Sequence, residues 1–286
     1  MEKKVKNRAD CWSEDAIGEF GVGKNMVASM RHWANVTNII EENEYNKVTA
    51  TEIGNFIFKP NKSGYDPYLE HPSTLWLIHW QLATNLNKTT WYWLFNYFTN
   101  NNFDRDGLVG KINRLINDRG WSKVALSTIK KDVACFIRTY VAQKPSGKIG
   151  HDDALESPLT ELGLIRANNI KDSFRFVRGN KPMLAQGIFT YALIKFWNWY
   201  EPNSNTLSFE AIAHAPRSPG RIFLLDENEL DDKLATLASS TNGEFYPTET
   251  AGLKQISSRN EIKIDSALYW LKKDYIKSIK KGSKVV

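Results

Sequence analysis

The stretch DGLVGKINRLINDRG, residues 106–120, and the stretch ALSTIKKDVACFIRTYV, residues 125–141, decide the fold of this chain. In both stretches apolar residues recur every three or four positions, which predicts two amphipathic helices. Gly120 closes the first stretch, and glycine is common just beyond the end of a helix. Two helices joined by a short turn that contains glycine predict a helix-turn-helix.

Outward from this pair, the apolar spacing is helical over most of the chain, including residues 24–40 and 183–200. Ser73 is a good N-cap residue and is expected to begin a further helix. From residue 173 onward, a short strand, helices around a turn rich in proline and glycine, and two short strands within residues 243–256 follow one another. This is the order of a winged helix. We therefore expect a mainly α protein with a small amount of β structure, built from tandem helix-turn-helix or winged-helix-like units.

Residues 142–158 are rich in proline, glycine and charged side chains, which is typical of a linker. We place the main domain boundary in this segment. The sequence thus predicts an N-terminal helical domain, residues 1–145, that contains the helix-turn-helix. It also predicts a C-terminal winged-helix-like domain, residues 146–286, that ends in a basic tail.

The composition excludes several classes of protein. Of the 286 residues, 42% are apolar and 12% are aromatic, which predicts a folded core instead of a disordered chain. No apolar run approaches the roughly 18 residues of a membrane span, and no apolar segment follows the charged first residues as a secretory signal would require. The two cysteines, Cys11 and Cys135, cannot form a disulfide framework or a thiolate zinc site. We expect a cytoplasmic protein without a membrane partner.

The positive charge is concentrated in two segments. The chain has 38 Lys and Arg against 32 Asp and Glu, a net charge of +6. Residues 104–148 hold ten basic and four acidic residues, and residues 263–286 hold seven lysines and two aspartates. Basic segments on an otherwise acidic chain indicate binding to a polyanion. For the tail, an equally simple interpretation is a lysine-rich terminus that only improves solubility.

The second helix of the helix-turn-helix has polar and cationic side chains on the positions that face away from its apolar stripe. Hydroxyl and cationic groups of this kind suit a helix whose first turns meet the phosphates and base edges of DNA. The alternative is an ordinary amphipathic pair with a solvated lysine face. The predicted DNA-binding residues of this helix are Ser127, Thr128, Lys130, Lys131 and Arg138.

The segment GEFGVGKN, residues 18–25, has the glycine and lysine spacing of a phosphate-binding loop. Asn25 stands where a Ser or Thr would bind magnesium, and no apolar strand precedes the loop, so an ATPase is disfavoured. Glycines before a helix still leave backbone N–H groups free for an anion, here a phosphate of a DNA backbone. The alternative is a glycine-rich turn that merely starts a helix. The side chains placed to hold the phosphate are those of Lys24, Asn25 and Arg31.

A few carboxylates and histidines could support hydrolysis of a phosphodiester, which usually needs a divalent metal such as Mg²⁺ or a general base. Each has a structural alternative: Asp66 precedes a proline and suits a turn, His79 lies on an apolar helix face, and Asp153 falls in the linker. The sequence motifs alone identify no catalytic set. The candidate catalytic residues are Asp66, Glu70, His79 and Asp153.

Several of these segments occur together in one bacterial family. They are FGVGKNMV with Arg31 and Trp33, YDPYLE with TLWLIHW, LSTIKKDVACFIRTY, SPGRIFLLDE and TAGLKQI. From about Gly18 to Gln255 the chain resembles a family long described as of unknown function. Genes of this family stand beside those for a cysteine desulfurase and a PAPS-reductase-like enzyme in DNA phosphorothioation operons.

The resemblance implies a DNA-binding role in a phosphorothioation-linked antiphage defence system, in which sulfur replaces a non-bridging phosphate oxygen. In the single-strand form of that system the corresponding component nicks DNA, which implies that this chain nicks one strand to allow the modification. The implied partners are DNA, a cysteine desulfurase, a PAPS-reductase-like enzyme and an ATPase. The alternatives are a non-catalytic DNA-binding subunit, a transcriptional regulator that positions partner proteins, and a protein–protein scaffold.

Overall fold

The computed structural model of the protein describes residues 18, 20–44, 47–59, 64–142 and 156–282, with side chains described up to residue 276. The chain divides into two compact units, Met1–Glu70 and His71–Val286. Helices dominate the described residues and small antiparallel sheets accompany them, so the expected fold class, mainly α with a small amount of β, is confirmed.

In the first unit a short antiparallel sheet follows a helix. Gly21, with φ +64°, and the extended Gly23 begin the helix, and the expected helix over 24–40 ends at Val36. Val27 and Val36 are the buried residues of this helix, whereas Met26 and Met30, which the apolar spacing would place on the same face, are exposed. The described elements are α1 (Lys24–Val36), β1 (Ile40–Glu42), β2 (Val48–Ala50) and α2 (Glu52–Phe58).

The second unit begins with a helix that is buried on most of its sides. Ser73 is not the N-cap that the sequence predicts: His71 is, and its Nδ1 accepts a hydrogen bond from the Ser73 N–H at 3.1 Å. The cap lies upstream because Pro72, which has no N–H, occupies the first helical position. The first elements of this unit are α3 (Pro72–Thr84) and α4 (Thr89–Asn96).

The helix-turn-helix follows, and a strand precedes it. The Asp104 carboxylate accepts a hydrogen bond from the Gly107 N–H at 2.7 Å and begins the first helix, and Gly120 ends it in a left-handed conformation, φ +64°. Helix α5 packs against α6, so the expected helix pair is confirmed. The elements are β3 (Asn102–Asp104), α5 (Arg105–Asp118), α6 (Leu126–Tyr140), β4 (Ile165–Ala167) and β5 (Ser173–Phe176).

Strand β3 pairs antiparallel with β5, and β5 pairs with β4, so the order in the sheet is β3-β5-β4. The predicted domain boundary at residues 145/146 lies outside the described residues and stays a prediction. The strands on its two sides, β3 before it and β5 after it, belong to one sheet.

The remainder of this unit has a related order of elements, but four α-helices lie between its first two strands where β3 and β4 enclose two described ones. Residues 102–176 are called the first repeat and residues 206–258 the second repeat. The two-residue turn Ala251-Gly252 has φ of +52° and +78°, which suits a tight hairpin between strands with the usual right-handed twist. The sheet order is β6-β8-β7, so the first strand again pairs with the last. The elements are α7 (Gln186–Tyr200), β6 (Thr206–Ser208), α8 (Phe209–His214), α9 (Pro219–Ile222), α10 (Glu227–Ala235), α11 (Leu237–Ser240), β7 (Phe245–Thr250), β8 (Leu253–Ser258) and α12 (Ser266–Gly282).

The core of the second unit is built on α7, which α12 and α3 cover. Asp274 of α12 holds the start of α7: its carboxylate accepts hydrogen bonds from the N–H groups of Gly187 and Ile188 at 2.9 and 2.8 Å, and from the Ser73 hydroxyl at 3.0 Å. Burial raises the pKa of this carboxyl, and the three hydrogen bonds oppose the rise. Within the described ranges, no helix combines the length and the apolar character needed to cross a bilayer.

Candidate nucleic-acid interface

Helix α6 divides into a buried face and an exposed face. Ile129, Val133, Phe136, Ile137 and Tyr140 are buried, and this face packs on the core of the unit. Leu126, which the spacing assigns to the same stripe, is 51% exposed because it lies at the first turn, before the helix reaches the core. All the predicted DNA-binding side chains of this helix are exposed: Ser127, Thr128, Lys130, Lys131 and Arg138.

Acidic neighbours do not neutralise this face. The carboxylate of Asp132, the acidic residue of α6, accepts a hydrogen bond from the Thr90 hydroxyl of α4. Among the described residues, no carboxylate lies within 4 Å of the ammonium groups of Lys130 and Lys131 or of the Arg138 guanidinium. The exposed face of α6 is therefore a cationic surface.

The hairpin β4–β5 adds positive charge beside this helix, since β4 contacts α6. Arg166 and Arg175 are paired directly across the two strands, and both are exposed. Like charges in this position repel each other, so the pair lowers the stability of the hairpin unless an anion binds. Our sequence reasoning missed both arginines, although the alternation in SFRF already assigns Arg175 to the polar side of its strand.

Helix α10, the longest of the helices between β6 and β7, carries a charge opposite to that of α6. Its sequence ENELDDKLA holds four carboxylates and one lysine. Asp231 forms an ion pair with Lys254 at 2.9 Å, and Glu229 forms one with Lys233 at 3.7 Å. Only the helix of the first repeat presents a cationic face that suits a polyanion.

The other predicted phosphate-binding residues lie in the first unit. Lys24 and Asn25 are exposed in the first turn of α1, and its N-cap residue, Gly23, offers no side-chain cap. Arg31 forms an ion pair with Glu42 of β1, which compensates its charge. The structure thus keeps Lys24 and Asn25 accessible and gives Arg31 a partner within its own unit.

The candidate catalytic residues do not form a described cluster. Asp66 is buried and its carboxylate accepts a hydrogen bond from the Glu70 N–H at 2.8 Å, while the Glu70 side chain is exposed. His79 is fully buried in the second unit, and Asp153 lies outside the described residues. Across the described ranges, no group of three or more His, Cys, Asp or Glu side chains could hold a metal ion.

Both nitrogens of His79 have partners. Nε2 donates to the Ile222 carbonyl at 2.9 Å, so Nδ1 is the acceptor for the Tyr140 hydroxyl at 2.8 Å. Burial lowers the pKa of His79 to about 4, and the hydrogen bond to Ile222 only partly offsets this. A neutral, fully enclosed imidazole joins α3, α6 and α9, which is a structural role of the kind expected from its apolar helix face.

Comparisons with known proteins extend over almost the whole chain. The family model described as "Protein of unknown function (DUF4007)" matches residues 2–275. The crystal structure of magnesium ion-bound SspB has a TM-score of 0.84 and 27% sequence identity, covering 95% of this chain and 81% of that chain. A further SspB crystal structure has a TM-score of 0.82 and 27% identity, covering 95% of this chain and 82% of that chain. No curated protein gives a match. The structural matches confirm the resemblance inferred from the sequence motifs.

Proposed function

This chain belongs to the DUF4007 family of proteins of unknown function, and on that premise we propose that it is a DNA-binding component of a phosphorothioation-linked defence system. The similarity to SspB supports the link to phosphorothioation, because SspB is the component of the single-strand form of that system to which this family corresponds. The observation that carries DNA binding is the cationic, exposed face of α6 on a helix whose opposite face is buried.

We further propose that both repeats of the second unit are winged-helix units. Each follows a helix and has a strand, further helices and a hairpin in this order, and the first strand pairs with the last strand of the hairpin. Two described α-helices lie between the first strand and the hairpin in the first repeat, and four in the second. In this architecture the second helix of the helix-turn-helix enters the major groove and the hairpin reaches the flanking backbone. Helix α6 and the arginine pair of β4–β5 take these places in the first repeat.

The charges indicate that the two repeats act differently on DNA. The first repeat offers the cations of α6 together with Arg166 and Arg175, whereas α10 of the second repeat would bring carboxylates against phosphates. Neutralising phosphates releases counterions, which favours binding by the first repeat and gives it a steep dependence on salt. Repulsion disfavours the same docking by α10. We therefore assign duplex binding to the first repeat.

Fluorescence anisotropy with labelled duplexes of unrelated sequence tests this assignment. The double substitution Lys130→Ala and Lys131→Ala removes two phosphate contacts, so affinity should fall for every sequence and the slope of log K against log salt should decrease by about 2. The control is Lys47→Ala with Lys59→Ala, which removes two exposed lysines outside the two basic segments. Equal affinity and slope in the α6 variant and the control would remove α6 from the interface.

Strand nicking is the second part of the proposal, and it rests on the similarity to SspB. For SspB a magnesium ion-bound structure exists, and among the described residues of this chain no three His, Cys, Asp or Glu side chains lie together as a metal site. We therefore derive no catalytic step. Relaxation of a supercoiled plasmid, with magnesium and with a chelator, tests the activity. Relaxed circles that form only with magnesium support nicking, whereas binding without relaxation supports a non-catalytic DNA-binding subunit or regulator.

The proposed partners besides DNA are the cysteine desulfurase, the PAPS-reductase-like enzyme and the ATPase of the same system. If the chain positions these enzymes on DNA, each should be retained more strongly on immobilised DNA when this chain is present. Retention that does not depend on DNA would instead support a protein–protein scaffold. Lys24, Asn25 and Arg31 stay a predicted second contact to the DNA backbone.

A further inference from the structure

The segment HAPRSPGR, residues 214–221, joins α8 to α9 and holds two arginines in fixed positions. Arg217 has φ +67°, a left-handed conformation that is uncommon for residues other than glycine. The Asn96 side chain accepts a hydrogen bond from the Arg217 N–H, and the guanidinium carbon lies 4.3 Å from the centre of the Trp199 ring. Such a backbone persists only where its surroundings hold it, and it is found often at ligand sites.

The position of Arg221 is equally determined. The Ser218 hydroxyl accepts a hydrogen bond from the Arg221 N–H at 3.2 Å and caps α9. Gly220 brings α9 against α8, since a Cβ at this position would lie 2.6 Å from the Ala213 carbonyl oxygen. The Nε of Arg221 is buried and has no hydrogen-bond partner among the described residues. A buried donor without an acceptor costs free energy, which a ligand with an acceptor oxygen would recover.

Arg221 lines a cavity of about 620 Å³ together with Arg178, which follows β5. Burial lowers the pKa of both guanidinium groups, and the charge of Arg178 lowers that of Arg221 further. Within the described residues, no carboxylate lies within 4 Å of Arg178, Arg217 or Arg221. Cationic groups that are partly removed from water and repel each other are stabilised by a bound anion.

The carboxylates that also line this cavity have partners of their own, and the Asp226 carboxylate lies beside Gly179, the residue that follows Arg178. Asp226 accepts a hydrogen bond from the Glu229 N–H at 2.9 Å and caps α10, and Glu227 lies 3.5 Å from His214. Beside the arginines, the rings of Tyr97 and Trp199 are 48% and 46% exposed. Tyr97 follows Asn96, the residue whose side chain accepts the hydrogen bond from the Arg217 N–H.

We propose that Arg178 and Arg221 bind a phosphodiester group of single-stranded DNA in this cavity, while the exposed rings of Tyr97 and Trp199 stack on the neighbouring bases. Guanidinium groups hold phosphate oxygens by paired hydrogen bonds, and aromatic rings bind the bases of single strands because every base has a flat face. This site deepens the proposed function and rests on it. It would hold one strand, whereas the face of α6 holds the duplex.

Binding of a labelled single strand of about twelve thymidines, measured by anisotropy at low salt, tests this site. The double variant Arg178→Gln and Arg221→Gln should bind this strand at least about tenfold more weakly than the wild type. The control is Arg259→Gln, which removes an exposed arginine elsewhere. Arg178→Gln alone, which replaces a partly exposed side chain, should still weaken binding if the double variant does not fold.

A second measurement distinguishes a site for a DNA strand from a site for a free anion. Inorganic phosphate is added to the wild type and to both arginine variants, and the unfolding temperature is measured. Stabilisation of the wild type by phosphate without binding of the thymidine strand would overturn the assignment to DNA. Unchanged binding of the strand by both arginine variants would overturn the site itself.

The Lys130→Ala, Lys131→Ala variant separates this inference from the proposed function. This variant should bind duplex DNA more weakly but should bind the thymidine strand as the wild type does. Duplex binding that does not depend on the α6 lysines would contradict the proposed function. If only the arginine variants then lose binding of the thymidine strand, the assignment of this cavity as the strand-binding site would still hold.

Discussion

His79 shows how one buried side chain can couple stability to pH. Its neutral ring accepts a hydrogen bond from Tyr140 and donates one to the Ile222 carbonyl. A proton added at Nδ1 would place a charge in a dry core and break the hydrogen bond that Tyr140 donates. The folded protein therefore resists protonation of this ring, whereas the unfolded chain accepts a proton near pH 6.5.

The free energy of unfolding should therefore decrease as the pH falls below 6.5, because the pKa of His79 is lowered to about 4 in the folded state. Between roughly pH 7.5 and pH 5 this one group should remove about 2 kcal/mol. In His79→Gln this contribution is absent, so the destabilisation that it causes should be about 2 kcal/mol smaller at the lower pH. Urea unfolding of both proteins at the two pH values measures the difference, and an equal difference at both would contradict a buried neutral histidine.

At the scale of elements, two glycines in helices of the second unit have opposite roles. Gly220 lies where α9 crosses α8, and a Cβ there would meet the backbone of Ala213. Gly110 lies in the middle of α5, is exposed, and has open space where a Cβ would stand. The first glycine is required by packing, whereas the second only weakens its helix.

Gly220→Ala should therefore destabilise the protein by about 2 kcal/mol or more, because the α8–α9 backbones must move apart. Gly110→Ala should stabilise it by roughly 0.5–1 kcal/mol, because alanine favours the helix and restricts the unfolded chain. Thermal and urea unfolding of the two variants gives both values. A neutral Gly220→Ala would mean that α8 and α9 are not in close backbone contact.

At the scale of the molecule, the unit His71–Val286 contains both repeats, the sheets β3-β5-β4 and β6-β8-β7, and the central helix α7. Its hydrophobic core includes Trp76, Trp91 and Trp197, all of which are fully buried. A core of this size is sufficient for independent folding. The proposed duplex-binding and strand-binding sites both lie in this unit.

A protein of residues 71–286 should therefore fold, unfold in one cooperative transition, and retain the near-ultraviolet circular dichroism of its buried tryptophans. It should also bind duplex DNA with the same dependence on Lys130 and Lys131 as the full chain. Calorimetry and anisotropy test these expectations. A fragment without a cooperative transition would contradict the division of the chain, and loss of duplex binding in a folded fragment would mean that the first unit supplies an essential contact.

The sequence by itself determined the helix-turn-helix and the exposed cations of α6. Apolar periodicity, the glycine stop and the surface character of Lys130 and Lys131 are local properties that one or two helical turns express. The mainly helical fold class followed from the same pattern. The apolar pattern did not predict strands β3 and β6, because a segment of three residues is too short to display the alternation of a strand.

Only the tertiary structure decided which distant groups meet. His79 finds its partners 61 and 143 residues away, and Arg178 shares a cavity with Arg221 across the two repeats. Apolar spacing shows which side of an element is buried, but it does not show which other element covers it. The opposition of Arg166 and Arg175 likewise depends on the register of a hairpin, which tertiary packing and the turn establish.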